Sequence, residues 1–330
     1  VNKLRLIWLF ALTVILSPQA FSAPISIMTF NVENLFDATH DAGKNDETYL
    51  PASEKKNRAH IEKCEKISVR RWRDQCLYWD WSEAVVDQKL RVVSDAIKQV
   101  NGGQGPDIIA LQEIENIGIL ERLRSDYLEG LGYQPAVLLE GKDKRGIDAA
   151  FLSKLPVTEA KLHPITFPKS LKKRAGDTRP ILEANFELPN GEILTGFSVH
   201  FPAPYHPTEM REVAYTKLNK IVAALPENQA VFAAGDFNTT LEEDTNKGML
   251  KRWVRPTWQV AHDLCEACPG TSYYPPKDDW SFLDMVLWRN TPGWKMTGSF
   301  LANQTSEQVL PNGTPKRFQL PEAPGVSDHW

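Results

Sequence analysis

At 330 residues, with 42% hydrophobic and 24% charged side chains, the chain has the composition of a globular protein, which excludes disordered and fibrous classes. A formal charge of −4 excludes a global field that would attract nucleic acid, so any such attraction must come from a local basic patch.

The first segment, VNKLRLIWLFALTVILSPQAFSA, places Lys3 and Arg5 ahead of an apolar run from Leu6 to Leu16, followed by Pro18 and small residues. This is the pattern of a secretory signal peptide spanning residues 1–22. The apolar run is well short of the roughly 20 residues that cross a bilayer, so a permanent anchor is the weaker reading. Its removal takes two of the 38 basic residues and none of the 42 acidic ones, leaving a charge of −6. The expected location is the periplasm or the extracellular space.

Residues 23–330 contain no repeat and no low-complexity linker and are expected to form one domain. The first predicted strand is ISIMTFNVEN (25–34). Residues 37–81 then break the rhythm as an inserted excursion, with a basic stretch, NRAHIEKCEKISVRRWR (57–73), and Trp72, Tyr78, Trp79 and Trp81 among or just after it. Such a stretch suits phosphate contact with base stacking, although a solvated helix face is the more common meaning. A second basic run, KSLKKR, lies at 169–174.

Residues 82–100 carry Val86, Leu90, Val93, Ile97 and Val100 at helical spacing, with Ser82 as the expected N-cap and NGGQGP as the stop. The strand DIIALQEIEN (107–116) follows. Later come the strand ILTGFSVHF (193–201), a helix over 207–225 with Thr208 as its expected N-cap, the strand AVFAAGDFN (230–238) and the closing GVSDHW (325–330). Helices that each precede a continuous apolar strand predict mixed α/β layers with helices covering the sheets.

An oxidising compartment makes disulfides the default for the four cysteines; the sequence-local pairing, Cys64 with Cys76 and Cys265 with Cys268, is preferred over the two cross-pairings, which spacing leaves open. A four-cysteine zinc site is the competing reading.

Five of the apolar runs end on residues that bind hard cations or carry protons. Asn31, Glu33, Glu113 and Asp328 offer the oxygen donors that suit Mg²⁺, Mn²⁺ or Ca²⁺. His200 and His329 add a proton carrier or a phosphate donor. Taken singly, each has an ordinary explanation: a strand cap, a surface charge, a core histidine, a turn at GDFN. Their joint occurrence in order carries the signal.

That order, NVENL (31–35), LQEIEN (111–116), RGIDAAFLS (145–153), SVHF (198–201), GDFN (235–238), SFLDMVL (281–287) and SDHW (327–330), resembles the endonuclease/exonuclease/phosphatase superfamily, of which pancreatic-type deoxyribonucleases are members. The resemblance spans nearly all of the chain after the leader. It implies a four-layer α/β sandwich, two mixed β-sheets face to face with helices outside. It also implies roles: Glu113 as main metal ligand, helped by Asn31, Glu33 and Asp328; Asp236 to orient or deprotonate water; Asn238 on a phosphate oxygen. His329 would contact the phosphate with Asp284 fixing its tautomer, His200 would act as second donor or general acid, and Arg145 would add a phosphate contact.

The implied reaction is hydrolysis of a phosphoester assisted by Mg²⁺, with Mn²⁺ or Ca²⁺ as alternatives. A nucleic acid is the first expectation for substrate. A lipid phosphodiester or small phosphoester is the second, for which Tyr273, Tyr274, Pro275, Pro276 and Trp280 are an ambiguous membrane-facing candidate. A non-catalytic binding module on the same fold is the third. No stable protein partner is implied.

Overall fold

The computed structural model describes residues 24–321 and 325–330, so the expected leader lies outside the described residues. In chain order the elements are β1 (Ile27–Leu35), α1 (Arg58–Glu65), α2 (Arg70–Tyr78), α3 (Glu83–Lys98), β2 (Ile108–Ile114), α4 (Ile117–Arg122), β3 (Val137–Leu138) and β4 (Asp148–Ser153). There follow β5 (Val157–His163), β6 (Ile181–Glu187), β7 (Ile193–His200), α5 (Thr208–Ala223), β8 (Ala230–Asp236), α6 (Leu241–Lys247), β9 (Trp258–Val260), β10 (Ser272–Tyr274), β11 (Asp279–Ser281) and β12 (Asp284–Arg289).

One sheet runs β1-β2-β4-β3 and the other β5-β6-β7-β8-β12-β9, while β10 and β11 form a separate hairpin. Both large sheets are mixed: β1 with β2 and β7 with β8 are parallel, and the remaining neighbours are antiparallel.

Side-chain alternation explains the layering, because successive residues of a strand point to opposite faces. Ile108, Ala110, Ala149 and Phe151 of the first sheet meet Leu182, Phe186, Phe232 and Ala234 of the second in one buried core. Ile109, Leu111, Ala150 and Leu152 face the other way, onto Val86, Leu90, Val93 and Ile97 of α3. Phe197, Val199, Val231 and Ala233 likewise face away from the shared core and pack on Ala214, Leu218 and Val222 of α5. The result is the expected four layers, helix, sheet, sheet, helix.

The two expected helices form with trimmed ends. Ser82 caps α3 through its carbonyl, which accepts from the Val86 N–H at 3.0 Å, and its hydroxyl makes no cap bond. On α5, Pro207 takes the cap position and Thr208 is the first helical residue. Proline is preorganised near a helix start, which explains the one-residue displacement.

The excursion is ordered by two devices. The Cys64–Cys76 disulfide joins α1 to α2, and Cys265–Cys268 closes the other expected pair. At the ends of the excursion, Tyr49 stacks on Phe36 at 3.9 Å between ring centres and meets Trp81 edge-on at 5.1 Å. Trp81, fully buried, donates its Nε1–H to the Phe36 carbonyl at 3.2 Å.

Strand β8 depends on one glycine. Gly235 has φ of +150°, and a Cβ there would lie 2.1 Å from the Val199 carbonyl oxygen of β7, its ladder partner. Only Gly fits this close approach. Gly235→Ala should therefore lower stability by about 1–3 kcal/mol in urea unfolding, the usual range for overpacking. A change below about 0.5 kcal/mol, the scale of an ordinary surface substitution, would refute the contact.

Candidate active site

The parallel pairs β1/β2 and β7/β8 bring four strand ends to one edge, and β12 begins there from the opposite direction. In the second sheet Asp236 is aligned with His200 on one side and with Asp284 on the other. An acid is thus set in the ladder between a histidine and a second acid. His329 completes the group from the closing segment, which is bridged to Ser272 of β10.

Ligand atoms of Asp236, Asp284 and His329 lie within 4.8 Å of one another, and all three residues are buried. The His329 Nδ1 is 2.7 Å from Asp284 Oδ2. Burial opposes charge on the ring, but the carboxylates of Asp284, Asp328 and Asp236 outweigh it and hold the His329 pKa well above the ordinary histidine value. The imidazolium therefore donates Nδ1–H to Asp284.

Asp236 is oriented by three groups. The Asn31 Nδ2 donates to its Oδ2 at 3.2 Å and the Asn238 N–H to its Oδ1 at 2.8 Å, while His200 Nε2 stands 3.5 Å from Oδ2. Burial first, and the neighbouring Asp284 second, push its pKa up to about 7. His200 is the electrostatic opposite of His329: burial, then Arg179, Arg145 and His329, hold its pKa well below the ordinary value. It is a neutral donor, because burial and the three surrounding positive groups outweigh the Asp236 carboxyl beside it, whose own pKa is raised.

Asn238 commits one amide hydrogen to the Phe201 carbonyl at 3.0 Å, which fixes the turn after β8. Asn31 likewise has its Oδ1 taken by the Glu33 N–H at 3.1 Å. Its clearest structural service is to reach from the first sheet to Asp236 on the second.

Glu33, Glu113 and Asp328 gather beside this group, but they are not drawn to within 4.8 Å of one another. Two guanidinium groups stand among them. Arg317 Nε donates to Glu33 Oε1 at 2.6 Å, and its Nη2 lies 3.2 Å from Asp328 Oδ2. Arg145 Nη2 donates to Glu113 Oε2 at 3.1 Å and also to Asn34 Oδ1. Burial, then repulsion from Asp328, push the Glu33 pKa up to about 7 despite Arg317. Burial opposes charge on Asp328 too, but His329 and Arg317 outweigh it and lower its pKa.

Carboxylate and amide oxygens crowded in this way are the donor set of a hard divalent cation, and Mg²⁺ in particular is held by one or two carboxylates with the rest water and substrate. The chemistry of the residues present fits such an ion, and Glu113, Asn31, Glu33 and Asp328 are the ones that would hold it.

The backbone is strained at these positions. Glu33, Asn34, Glu113 and Asn238 all have φ between 51° and 67°. The left-handed conformation costs a non-glycine residue roughly 1–2 kcal/mol, and such strain collects where side chains must be aimed.

Four participants are not evident from the strand-end pattern. Arg179, buried and 3.0 Å from Asp143, is one of the charges acting on His200. Arg317 and Phe318 hold Glu33 from a segment of irregular structure, the Phe318 N–H donating to Glu33 Oε2 at 3.2 Å. Lys89 of α3, fully buried, donates to the Val326 carbonyl at 2.6 Å and lies over the Phe318 ring at 4.8 Å. Burial pushes its pKa down to about 8, against the pull of Glu33 and Asp328. Its one visible signal in sequence was a lysine on the apolar face of a helix.

Among curated protein sequences none is significantly similar to this chain. Solved structures share its fold at low identity. An endonuclease/exonuclease/phosphatase family protein from Leptotrichia buccalis is 14% identical over 81% of this chain and 88% of its own, with a TM-score of 0.50. One from Bacteroides thetaiotaomicron is 13% identical over 80% and 83%, also at 0.50. A conserved protein of unknown function from Enterococcus faecalis is 16% identical over 69% and 86%, at 0.51. Residues 81–329 match the sequence profile of the Endonuclease/Exonuclease/phosphatase family, and the chain belongs to that family of hydrolases.

Proposed function

We propose that this chain is an exported, divalent-cation-dependent phosphodiesterase that hydrolyses nucleic acid, DNA or RNA, by attack of water on phosphorus. The observation that carries the chemistry is the Asp236–Asp284–His329 group with neutral His200 at its flank. Asp236, gripped by Asn31 and Asn238, has the fixed orientation that a group aligning the attacking water needs. The charged His329 ring, braced by Asp284, leaves its Nε2–H for a phosphoryl oxygen. His200 supplies a second N–H without adding charge, and Arg145 and Arg179 favour a dianionic transition state.

Mg²⁺, Mn²⁺ or Ca²⁺ held by Glu113, Asn31, Glu33 and Asp328 would neutralise charge on the phosphoryl and leaving oxygens. As water adds to phosphorus and the ester P–O bond breaks, a proton leaves the water and one reaches the departing oxygen. No covalent enzyme intermediate is needed, which agrees with a site built of acids and imidazoles without an activated serine or cysteine.

The excursion supports the nucleic-acid reading. Lys66–Arg73 contains Lys66, Arg70, Arg71 and Arg73 and no acid, with Trp72 and Tyr78 exposed beside them at 56% and 75%. Exposed aromatic rings among cations suit stacked bases and a phosphate backbone. Tyr49 links this surface to the site, since its phenol feels the charges of Arg145, Glu113 and Glu33. Export is supported by the leader-like residues 1–22 and by the two disulfides. A lipid phosphodiester is the second reading, favoured by the β10–β11 hairpin, which is bridged to His329 and exposes Tyr274.

His329→Ala should lower the rate of Mg²⁺-dependent plasmid hydrolysis by about 10²–10⁴ with the fold intact by circular dichroism. Wild-type turnover in that variant would reject the assigned role. Replacing Arg70, Arg71 and Trp72 together with Ala should weaken DNA binding and flatten the dependence of log K on log salt by about 1–2 units. Turnover of a small phosphodiester should stay unchanged. An unaltered salt slope, with hydrolysis of phospholipid vesicles and none of plasmid, would move the substrate to the second reading.

A further inference from the structure

Asp143 lies in the loop that leads into β4 and is 2% exposed. Its Oδ1 accepts the Arg145 N–H at 2.5 Å, the side-chain-to-backbone bond, two residues on, of an Asx turn. Its Oδ2 lies 3.0 Å from Arg179 Nε, in an ion pair buried on both sides. One carboxylate thus serves both arginines whose charge acts on His200, the first through its backbone and the second through its guanidinium.

The turn alone does not account for this residue. Asn would close the same turn, since it offers the same acceptor oxygen. What Asn lacks is the charge facing Arg179. A buried ion pair is a weak source of stability, so its value here lies in what it aims.

Arg179 is 7% exposed, and its Nε is enclosed. Among the described residues no acceptor is hydrogen-bonded to its two Nη atoms. A guanidinium is a rigid planar fork, so fixing the Nε edge fixes the direction of the Nη edge, which is left for an anion such as a phosphate. Arg145 shows the same division: its backbone is held by Asp143, while its Nη2 reaches Glu113 and Asn34 at the catalytic edge. The support is stiff. The Asp143 carbonyl accepts from Lys44 Nζ at 3.3 Å and the Lys144 carbonyl from the Asn45 N–H at 2.7 Å. Gly141 packs so closely on the Arg179 segment that a Cβ there would stand 3.1 Å from Pro180 Cδ.

We propose, on the phosphodiesterase reading, that Asp143 is a positioning residue that aims Arg179 and Arg145 together at one substrate phosphate. Asp143 itself touches no substrate. Its charge repels an anion, so the gain in direction must outweigh that repulsion.

The test compares wild type, Asp143→Asn, Arg179→Lys, Arg179→Ala and the double variant Asp143→Asn with Arg179→Ala, each checked by circular dichroism and thermal melting. Two readouts are taken: Mg²⁺-dependent hydrolysis of plasmid and of a small phosphodiester, and calorimetric titration with inorganic phosphate. Asp143→Asn should lower the hydrolysis rate by about 10²-fold, the order lost when a group at the reacting centre is misplaced. It should also weaken phosphate binding about tenfold, the equivalent of one charge-assisted hydrogen bond. The sign is decisive: loss of a carboxylate that served only the turn would leave phosphate affinity unchanged or, by removing repulsion, raise it. In the Arg179→Ala background Asp143→Asn should add less than about twofold to either loss, because no guanidinium is left to aim and Asn keeps the Arg145 turn. Arg179→Lys, which keeps the charge without the fork, should lose activity as Asp143→Asn does, and it decides the case if Asp143→Asn fails to fold. Unchanged or tighter phosphate binding in Asp143→Asn, fully multiplicative losses in the double variant, or a wild-type rate in Arg179→Lys would overturn the proposal. A wild type that hydrolyses no phosphodiester would reject the phosphodiesterase reading, and the phosphate titration of Asp143→Asn would still decide whether Asp143 aims the arginines.

Discussion

Five carboxylates, those of Glu33, Glu113, Asp236, Asp284 and Asp328, are brought to one edge of two packed sheets, and their mutual repulsion is the constraint around which the site is built. Three of them are buried. Each must be neutralised, hydrogen-bonded or left protonated, since an uncompensated buried charge is too expensive for a marginally stable fold. The structure divides the task. His329 answers Asp284, Arg317 bridges Glu33 and Asp328, Arg145 answers Glu113, and Asp236 is left with neutral donors and a raised pKa. A divalent cation would take over part of what the two arginines do, which is why the same edge suits both an ion and an anionic phosphate.

Holding that many charges in register requires rigid support. The ladder supplies it for His200, Asp236 and Asp284, whose positions follow from strand pairing alone. Where the ladder runs out, the backbone turns through the left-handed region at Glu33, Asn34, Glu113 and Asn238, a strain borne by the apolar layers packed on both faces of each sheet. Lys89 contributes from the helical layer: its ammonium fixes the Val326 carbonyl, two residues before Asp328, so packing of α3 and placement of the closing segment are coupled. The excursion is joined to this scaffold by the Phe36–Tyr49–Trp81 cluster.

The layered fold, the strand ends and the two helices were legible in sequence because each rests on local periodicity. Val86, Leu90, Val93 and Ile97 repeat at helical spacing, and the buried strands are short continuous apolar runs. Of the residues in the ordered motifs, the fold brings Asp236, Asp284 and His329 within 4.8 Å of one another, with His200 3.5 Å from Asp236. Less visible were the side chains that set their charge. Arg317 and Arg179 stand in irregular segments without any periodic signal, and Lys89 is a single charged residue on an otherwise apolar helix face. Asn238 was expected on a phosphate oxygen, and its commitment to Phe201 could not be read from GDFN alone.

What the sequence determined by itself was the inventory: which strands form, which polar residue closes each, and which family the order of those residues resembles, all consequences of short-range pattern. Tertiary structure alone decided the protonation and pairing. Glu33 and Asp328 are 295 positions apart, and only folding sets both against Arg317. The same folding makes one histidine charged and the other neutral, because the charge of a buried ring is decided by the balance of charges around it: three carboxylates act on His329, whereas two arginines and His329 itself act on His200.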